Sequence, residues 1–209
     1  MKTDFLKYYH PSVVVIVSIA VFLALAFLKE NYTITLPTLG IATLVLTSVS
    51  TYAWKKKWLK KVFLPLFWVD DFSGRYEGVL AFQYYDENGV LHSDEMKHVK
   101  IINQNGHRIT VSSFSIKNDG TKSSVSVNRG MHIEKTEDEQ HFRLIYNYLN
   151  NGSTEQHFDP HFGTEVIKFI KNKDTKFLSG EYYTNRNPFQ TRGEFKDLKW
   201  VSNELNHEF

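Results

Sequence analysis

The 209-residue chain carries 25 Lys and Arg against 23 Asp and Glu, a net charge of +2, and has no cysteine, which excludes a disulfide framework, a thiolate nucleophile and a cysteine metal site. Its charge is uneven: residues 1–64 hold eight lysines against Asp4 and Glu30, net +6, while the remaining 145 residues hold 17 basic and 21 acidic side chains, net −4. An acidic C-terminal part excludes polymeric nucleic acid as a natural partner, because such binding is led by phosphate neutralisation.

Ser12 to Leu28 is an almost unbroken apolar run, and after Lys29 and Glu30 a second uncharged stretch extends from Asn31 to Trp54. At about 1.5 Å of rise per residue, either can cross a hydrocarbon core of about 30 Å. The pattern predicts a transmembrane hairpin within residues 1–64, with helices over about 12–28 and 35–54. Lys2 and Lys7 precede the first span, and Lys55, Lys56, Lys57, Lys60 and Lys61 follow the second. The positive-inside rule then makes the arrangement multi-pass, with the N-terminus and the C-terminal domain both cytoplasmic, and Trp54 and Trp58 serve as interfacial anchors. Ala24 and Ala26 imitate a signal-peptidase site, but the apolar run continues around them, so no cleavage is expected. Gly40, Thr43, Thr47 and Ser50 recur at three- and four-residue spacings and are the expected contacts for close helix packing.

Residues 65–209 lack long apolar runs and helical stripes. Eight β-rich segments are read instead, at Arg75 to Tyr85, Lys97 to Asn103, Arg108 to Ile116, Ser123 to Glu134, His141 to Leu149, Thr164 to Lys171, Phe177 to Thr184 and Gly193 to Trp200. Turn signals separate them at Asn88-Gly89, Asn105-Gly106, Asp119-Gly120 and Asn151-Gly152, among others. Tyr76, Gly78, Leu80, Phe82 and Tyr84 share one face, as do Phe142, Leu144, Tyr146 and Tyr148. With no covering helix, eight consecutive strands solve their edges by closure. The expected fold is an eight-stranded antiparallel up-and-down β-barrel, with a two-sheet sandwich as its geometric rival.

Gly74 and Gly78 flank Tyr76 where the first strand opens, a pattern that closes a barrel end under an aromatic ring. The stretch from Gly180 to Glu194 is the densest in aromatic and polar groups. A guanidinium suits a phosphate, and aromatic faces stack on bases. Tyr182, Arg186, Thr191 and Arg192 are therefore candidate ligand residues, with Tyr76 and with Arg143 among Tyr146 and Tyr148 on another strand. His157, Asp159 and His161 are ligand-type residues two apart, but Pro160 interrupts them and no metal is expected. No glycine-rich phosphate loop, serine elbow or paired-histidine zinc motif is present, so no enzymatic activity and no cofactor is expected.

The two N-terminal spans, the lysine-rich junction, the Trp68-Val69-Asp70-Asp71-Phe72-Ser73-Gly74-Arg75-Tyr76-Glu77-Gly78 entrance to the β-domain, and the Gly180-Glu181-Tyr182-Tyr183 and Thr191-Arg192-Gly193-Glu194 stretches together resemble the membrane-anchored β-barrel effectors of bacterial cyclic-oligonucleotide anti-phage signalling (CBASS). That resemblance implies a receptor in the bacterial inner membrane whose barrel binds a cyclic dinucleotide. It also implies assembly into a homo-oligomer and disruption of the bilayer by the membrane helices. The Phe72 to Gly78 segment alone resembles the start of lipocalin-like carriers, which implies as an alternative a membrane-tethered carrier or sensor of a lipophilic small molecule.

Overall fold

The computed structural model describes residues 7–32, 64–106, 108–153, 159–173, 175–186 and 190–207, together with Gly40, Leu44, Ser48 and Tyr52. Turn chemistry sets several strand ends. Gly89 (φ 76°) and Gly120 (φ 88°) supply left-handed backbone at two hairpin tips. At the first, the Asp86 carboxylate accepts from the Asn88 and Val90 amides, each at 2.9 Å, and at the second the Asp119 carboxylate accepts from the Thr121 amide at 2.8 Å.

Nine strand segments result: β1 (Gly74–Tyr85), β2 (Leu91–Gln104), β3 (Ile109–Ile116), β4 (Lys122–Asn128), β5 (His132–Lys135), β6 (Phe142–Asn150), β7 (His161–Lys171), β8 (Lys176–Thr184) and β9 (Arg192–Ser202). They lie side by side in the order β4-β3-β2-β1-β9-β8-β7-β6-β5, and β4 also pairs with β6. Both β5 and β4 use one edge of β6, the former from Phe142 to Ile145 and the latter from Tyr148 to Asn150. They are one interrupted stave, so the closed object is an eight-stranded antiparallel barrel. The interruption falls after Asn128, whose side-chain oxygen accepts the Val111 amide at 2.9 Å. The segment expected at Ser123 to Glu134 is therefore two strands, and β2 begins six residues before its expected start at Lys97.

The chain divides into two compact units, Met1–Asp71 with Gln104–Arg108, and Phe72–Asn103 with Ile109–Phe209. In the first, α1 spans Pro11–Tyr32. Before it, Tyr9 bridges to Phe67, their rings 4.7 Å apart, and the Trp68 indole donates to the Lys7 carbonyl at 3.0 Å. Val15, Ile16, Ile19, Phe22, Leu23 and Phe27 of α1 are all exposed, an apolar surface suited to lipid.

Among the described residues α1 is the single helix long and apolar enough to cross a membrane. The expected pair of transmembrane helices and the multi-pass arrangement are corrected accordingly. Of the second expected span only Gly40, Leu44, Ser48 and Tyr52 are among the described residues. Its composition also differs, since Pro37, Gly40, six threonines and two serines make it less apolar than the Val-, Ile-, Leu- and Phe-rich α1. With one candidate span, the inference that both flanks share the cytoplasmic side also falls, since that required two crossings. Thr43, Thr47 and Ser50 lie outside the described residues, and Gly40 is exposed with open space around it.

In the second unit, inward side chains stack in layers fixed by the β6–β7 register, which pairs Phe142 with Phe169, Leu144 with Ile167, Tyr146 with Glu165, Tyr148 with Gly163 and Asn150 with His161. One end is closed by aromatic rings. Phe72 packs edge-on against Phe142 and Phe169 at 5.6 and 4.8 Å, and the Tyr76 hydroxyl donates to the Phe72 carbonyl at 2.7 Å.

Candidate functional site

Polar groups occupy the middle of the barrel. Lys100, fully buried on β2, donates to the Glu165 carboxylate at 2.6 Å and to the Ser113 hydroxyl at 2.8 Å. The Tyr146 hydroxyl donates to the same carboxylate oxygen. Lys100 also stands 4.0 Å over the Phe195 ring. Burial lowers the Lys100 pKa, while the Glu165 charge and hydrogen bond raise it. We take the pair as ionised, because three partners hold the ammonium. The Tyr146 phenol is driven well above its usual range by burial and by Glu165, so it is a permanent donor.

Beyond this layer the barrel opens into a mouth. Its cavity, about 110 Å³, is lined by Tyr148, Tyr182, Thr184, Arg186 and Thr191, with His98 and Glu165 among the other groups. Two glycines place the tyrosines. Tyr148 pairs across the ladder with Gly163, and Tyr182 with Gly193; a Cβ at either glycine would lie 2.3 Å from the facing ring. Each ring therefore lies across a glycine instead of standing off a side chain. Burial pushes the Tyr182 phenol up to about 12 and raises Tyr148 as well, so both hydroxyls remain protonated at neutral pH. Thr184 and Thr191 share a hydroxyl hydrogen bond at 3.0 Å and tie together the strands that lead to Arg186.

A larger concavity of about 860 Å³ lies on the outer face of the barrel, lined by residues of β1, β2 and β6–β9. Arg143, Lys168, Arg192 and Lys196 are matched there by Asp94, Glu95, Glu181 and Glu194. Arg143 donates to Glu134 at 2.8 Å, Lys196 to Glu95 at 2.7 Å, and the Arg192 Nε to Gln83 at 3.3 Å. Size favours this groove for a whole small molecule. Charge does not favour it for an anion, because four carboxylates line it beside its four cations, and Arg143 and Lys196 are held by Glu134 and Glu95.

The structure thus brings Tyr148, Tyr182, Arg186 and Thr191 together at the mouth and places Tyr146 one layer deeper. Tyr76 sits at the opposite, closed end, while Arg143 and Arg192 project outward. Sequence reasoning missed His98, Lys100, Glu165 and Phe195. One signal was available: His98, Lys100 and Ile102 are two apart on a strand, so a histidine and a lysine share a face with an isoleucine. Among the described residues no cluster of His, Asp or Glu is placed to hold a metal ion; His157 lies outside them.

A closed barrel with a polar, aromatic mouth at one end has the architecture of a small-ligand-binding domain. Residues 67–199, more than half of the chain, match the family model described as Cap15, cyclic dinucleotide receptor domain, and the chain belongs to that family. The matched region is a cyclic-dinucleotide receptor domain. No curated protein and no solved structure matches the chain.

Proposed function

We propose that the protein takes a cyclic dinucleotide at the barrel mouth and, once bound, assembles into homo-oligomers that disrupt a membrane held by α1, as an effector of anti-phage signalling. The observation that carries this reading is the mouth itself. In a domain of a cyclic-dinucleotide receptor family, two protonated tyrosines, paired threonines and Arg186 converge over a floor whose carboxylate is neutralised by Lys100. Aromatic faces stack on bases, and a guanidinium pairs with phosphate. At about 110 Å³ the cavity is smaller than typical ligand clefts of roughly 300–1,000 Å³, so only part of a dinucleotide enters and the rest lies over the rim.

A buried lysine–glutamate pair in the barrel disfavours the lipophilic-carrier alternative, because a hydrocarbon tail gains nothing beside it. Membrane partnership rests on the exposed apolar surface of α1. Oligomerisation needs the ligand only to favour the assembled state by differential affinity.

The test is calorimetry on the full chain in detergent against cyclic di- and trinucleotides, run beside dye release from vesicles carrying the protein. Saturable binding with ligand-dependent leakage is expected. Absence of binding across the panel rejects the receptor site; binding without leakage rejects membrane disruption alone.

A further inference from the structure

Among the described residues two buried side-chain nitrogens lack a hydrogen-bond partner, Nε2 of His98 and Nε1 of Trp200, and of the two only His98 lines the mouth cavity. His98 projects from β2 opposite Gly78 and is almost wholly buried. Its Nδ1 is hydrogen-bonded to the Ser115 hydroxyl at 3.1 Å, whereas its Nε2 is buried without a partner among the described residues. The residue lines the mouth cavity with Tyr148, Tyr182 and Thr191. Its ring lies 5.0 Å from Phe195, whose ring is in turn 5.8 Å from Tyr182, so the imidazole continues an aromatic platform.

Packing alone does not call for an imidazole here. A phenyl ring would supply the platform without burying an unsatisfied nitrogen, which costs free energy in a folded protein and is rare for that reason. Burial and the neighbouring Lys100 charge push the imidazole pKa well below its usual value, so the ring is neutral. A neutral imidazole offers either an N–H or a lone pair at Nε2, depending on which tautomer the Ser115 hydroxyl supports.

We infer that His98 is a specificity-determining ligand contact: its Nε2 hydrogen-bonds the edge of the nucleobase that enters the mouth, while Tyr182 receives a base face. This rests on the receptor reading above and adds to it a residue that distinguishes one base from another. A base whose edge supplies the missing partner satisfies the buried nitrogen; a base that does not leaves it unsatisfied. Discrimination by such a site is strong because the mismatch strands polar groups away from water.

The experiment measures affinities of the full chain in detergent for cyclic di-GMP, cyclic di-AMP, cyclic GMP–AMP and cyclic di-UMP, for wild type and His98→Phe. The expected result is a loss of about tenfold for the preferred ligand, with smaller losses for the others, so that the spread of affinities narrows. Imidazole ¹⁵N spectra of the wild type should show the His98 Nε2 resonance moving on saturation with the preferred ligand. Should His98→Phe fail to fold, Ser115→Ala, which releases Nδ1 and leaves the ring in place, should narrow the spread in the same direction. An unchanged spread in the folded variants, including a uniform loss for every ligand, overturns the assignment and leaves His98 as a packing residue. An unmoved Nε2 resonance also overturns it. If the wild type binds none of the four, the receptor reading fails and the His98 role with it. Binding by the wild type with its preference intact in His98→Phe rejects only the latter.

Discussion

Lys100 on β2 and Glu165 on β7 form a 2.6 Å ion pair inside the barrel, between residues 65 positions apart in the chain. Both side chains are almost fully shielded from water. Desolvation makes either charge costly alone, so the pair behaves as a unit. Lys100→Met or Glu165→Leu singly should lower unfolding stability by about 3–5 kcal/mol, whereas the double variant should recover most of that loss. Urea denaturation of the three variants gives the coupling energy directly. Additive losses would show that the pair contributes no mutual stabilisation.

The glycines beneath the mouth tyrosines should tolerate alanine unequally. At Gly163 the three atoms nearest a new methyl all belong to the outer end of the Tyr148 ring, a side chain and not backbone. At Gly193 it also comes within 2.5 Å of the Ala81 carbonyl oxygen, which is backbone and cannot swing aside. Gly163→Ala should cost about 1–3 kcal/mol and Gly193→Ala more, with ligand affinity reduced in both because the tyrosines are displaced. Thermal melts with and without ligand measure the two effects; equal losses would contradict the geometric distinction.

The two arginines of the β8–β9 region should separate in a binding assay. Arg186 lines the mouth, while Arg192 projects outward toward Gln83. Arg186→Ala should weaken cyclic-dinucleotide binding by about 2–5 kcal/mol if a phosphate is left unpaired. Arg192→Ala should change it by less than about 1 kcal/mol. Calorimetry on both variants decides between the mouth and the outer groove, since the reverse ranking would move the site to the barrel exterior.

Acid should destabilise the barrel partly through His98. The folded-state pKa of this group lies well below the ordinary value of 6.5 because burial and Lys100 oppose the charged form. As pH falls through 6.5, the unfolded chain takes up a proton that the folded chain refuses, so stability is lost as pH falls below that point. The slope from this residue is at most about 1.4 kcal/mol per pH unit. His98→Phe should remove it, which denaturation at pH 7 and pH 5 tests; an identical pH dependence in the two proteins would place the proton uptake elsewhere.

Much of the barrel was legible because strand periodicity is local. Phe142, Leu144, Tyr146 and Tyr148 alternate with Arg143, Ile145 and Asn147, and the structure buries the first set and turns Arg143 and Asn147 outward. Hairpin tips at Gly89 and Gly120 were equally legible, since left-handed backbone selects glycine. On β2 the same logic misleads. Val99 and Ile101 pack outside the barrel wall against Phe114 and Val125, while Lys100 faces the interior on the side of Ile102. A rule that places charge outside cannot recognise a lysine whose partner comes from β7.

The sequence by itself determined the run of antiparallel strands, the apolar α1 segment, the absence of cysteine chemistry and the aromatic face of β6, because each follows from local composition, turn residues or a two-residue period. Only the tertiary structure decided that α1 is the one candidate span among the described residues, that Arg186 and Arg192 occupy different surfaces, and that His98 and Glu165 belong to the mouth. These depend on register and closure. The pairing of β4 with β6 fixes which strands face one another across the barrel, and a cross-strand partner is chosen by the three-dimensional ladder, not by any property of the neighbouring residues in the chain.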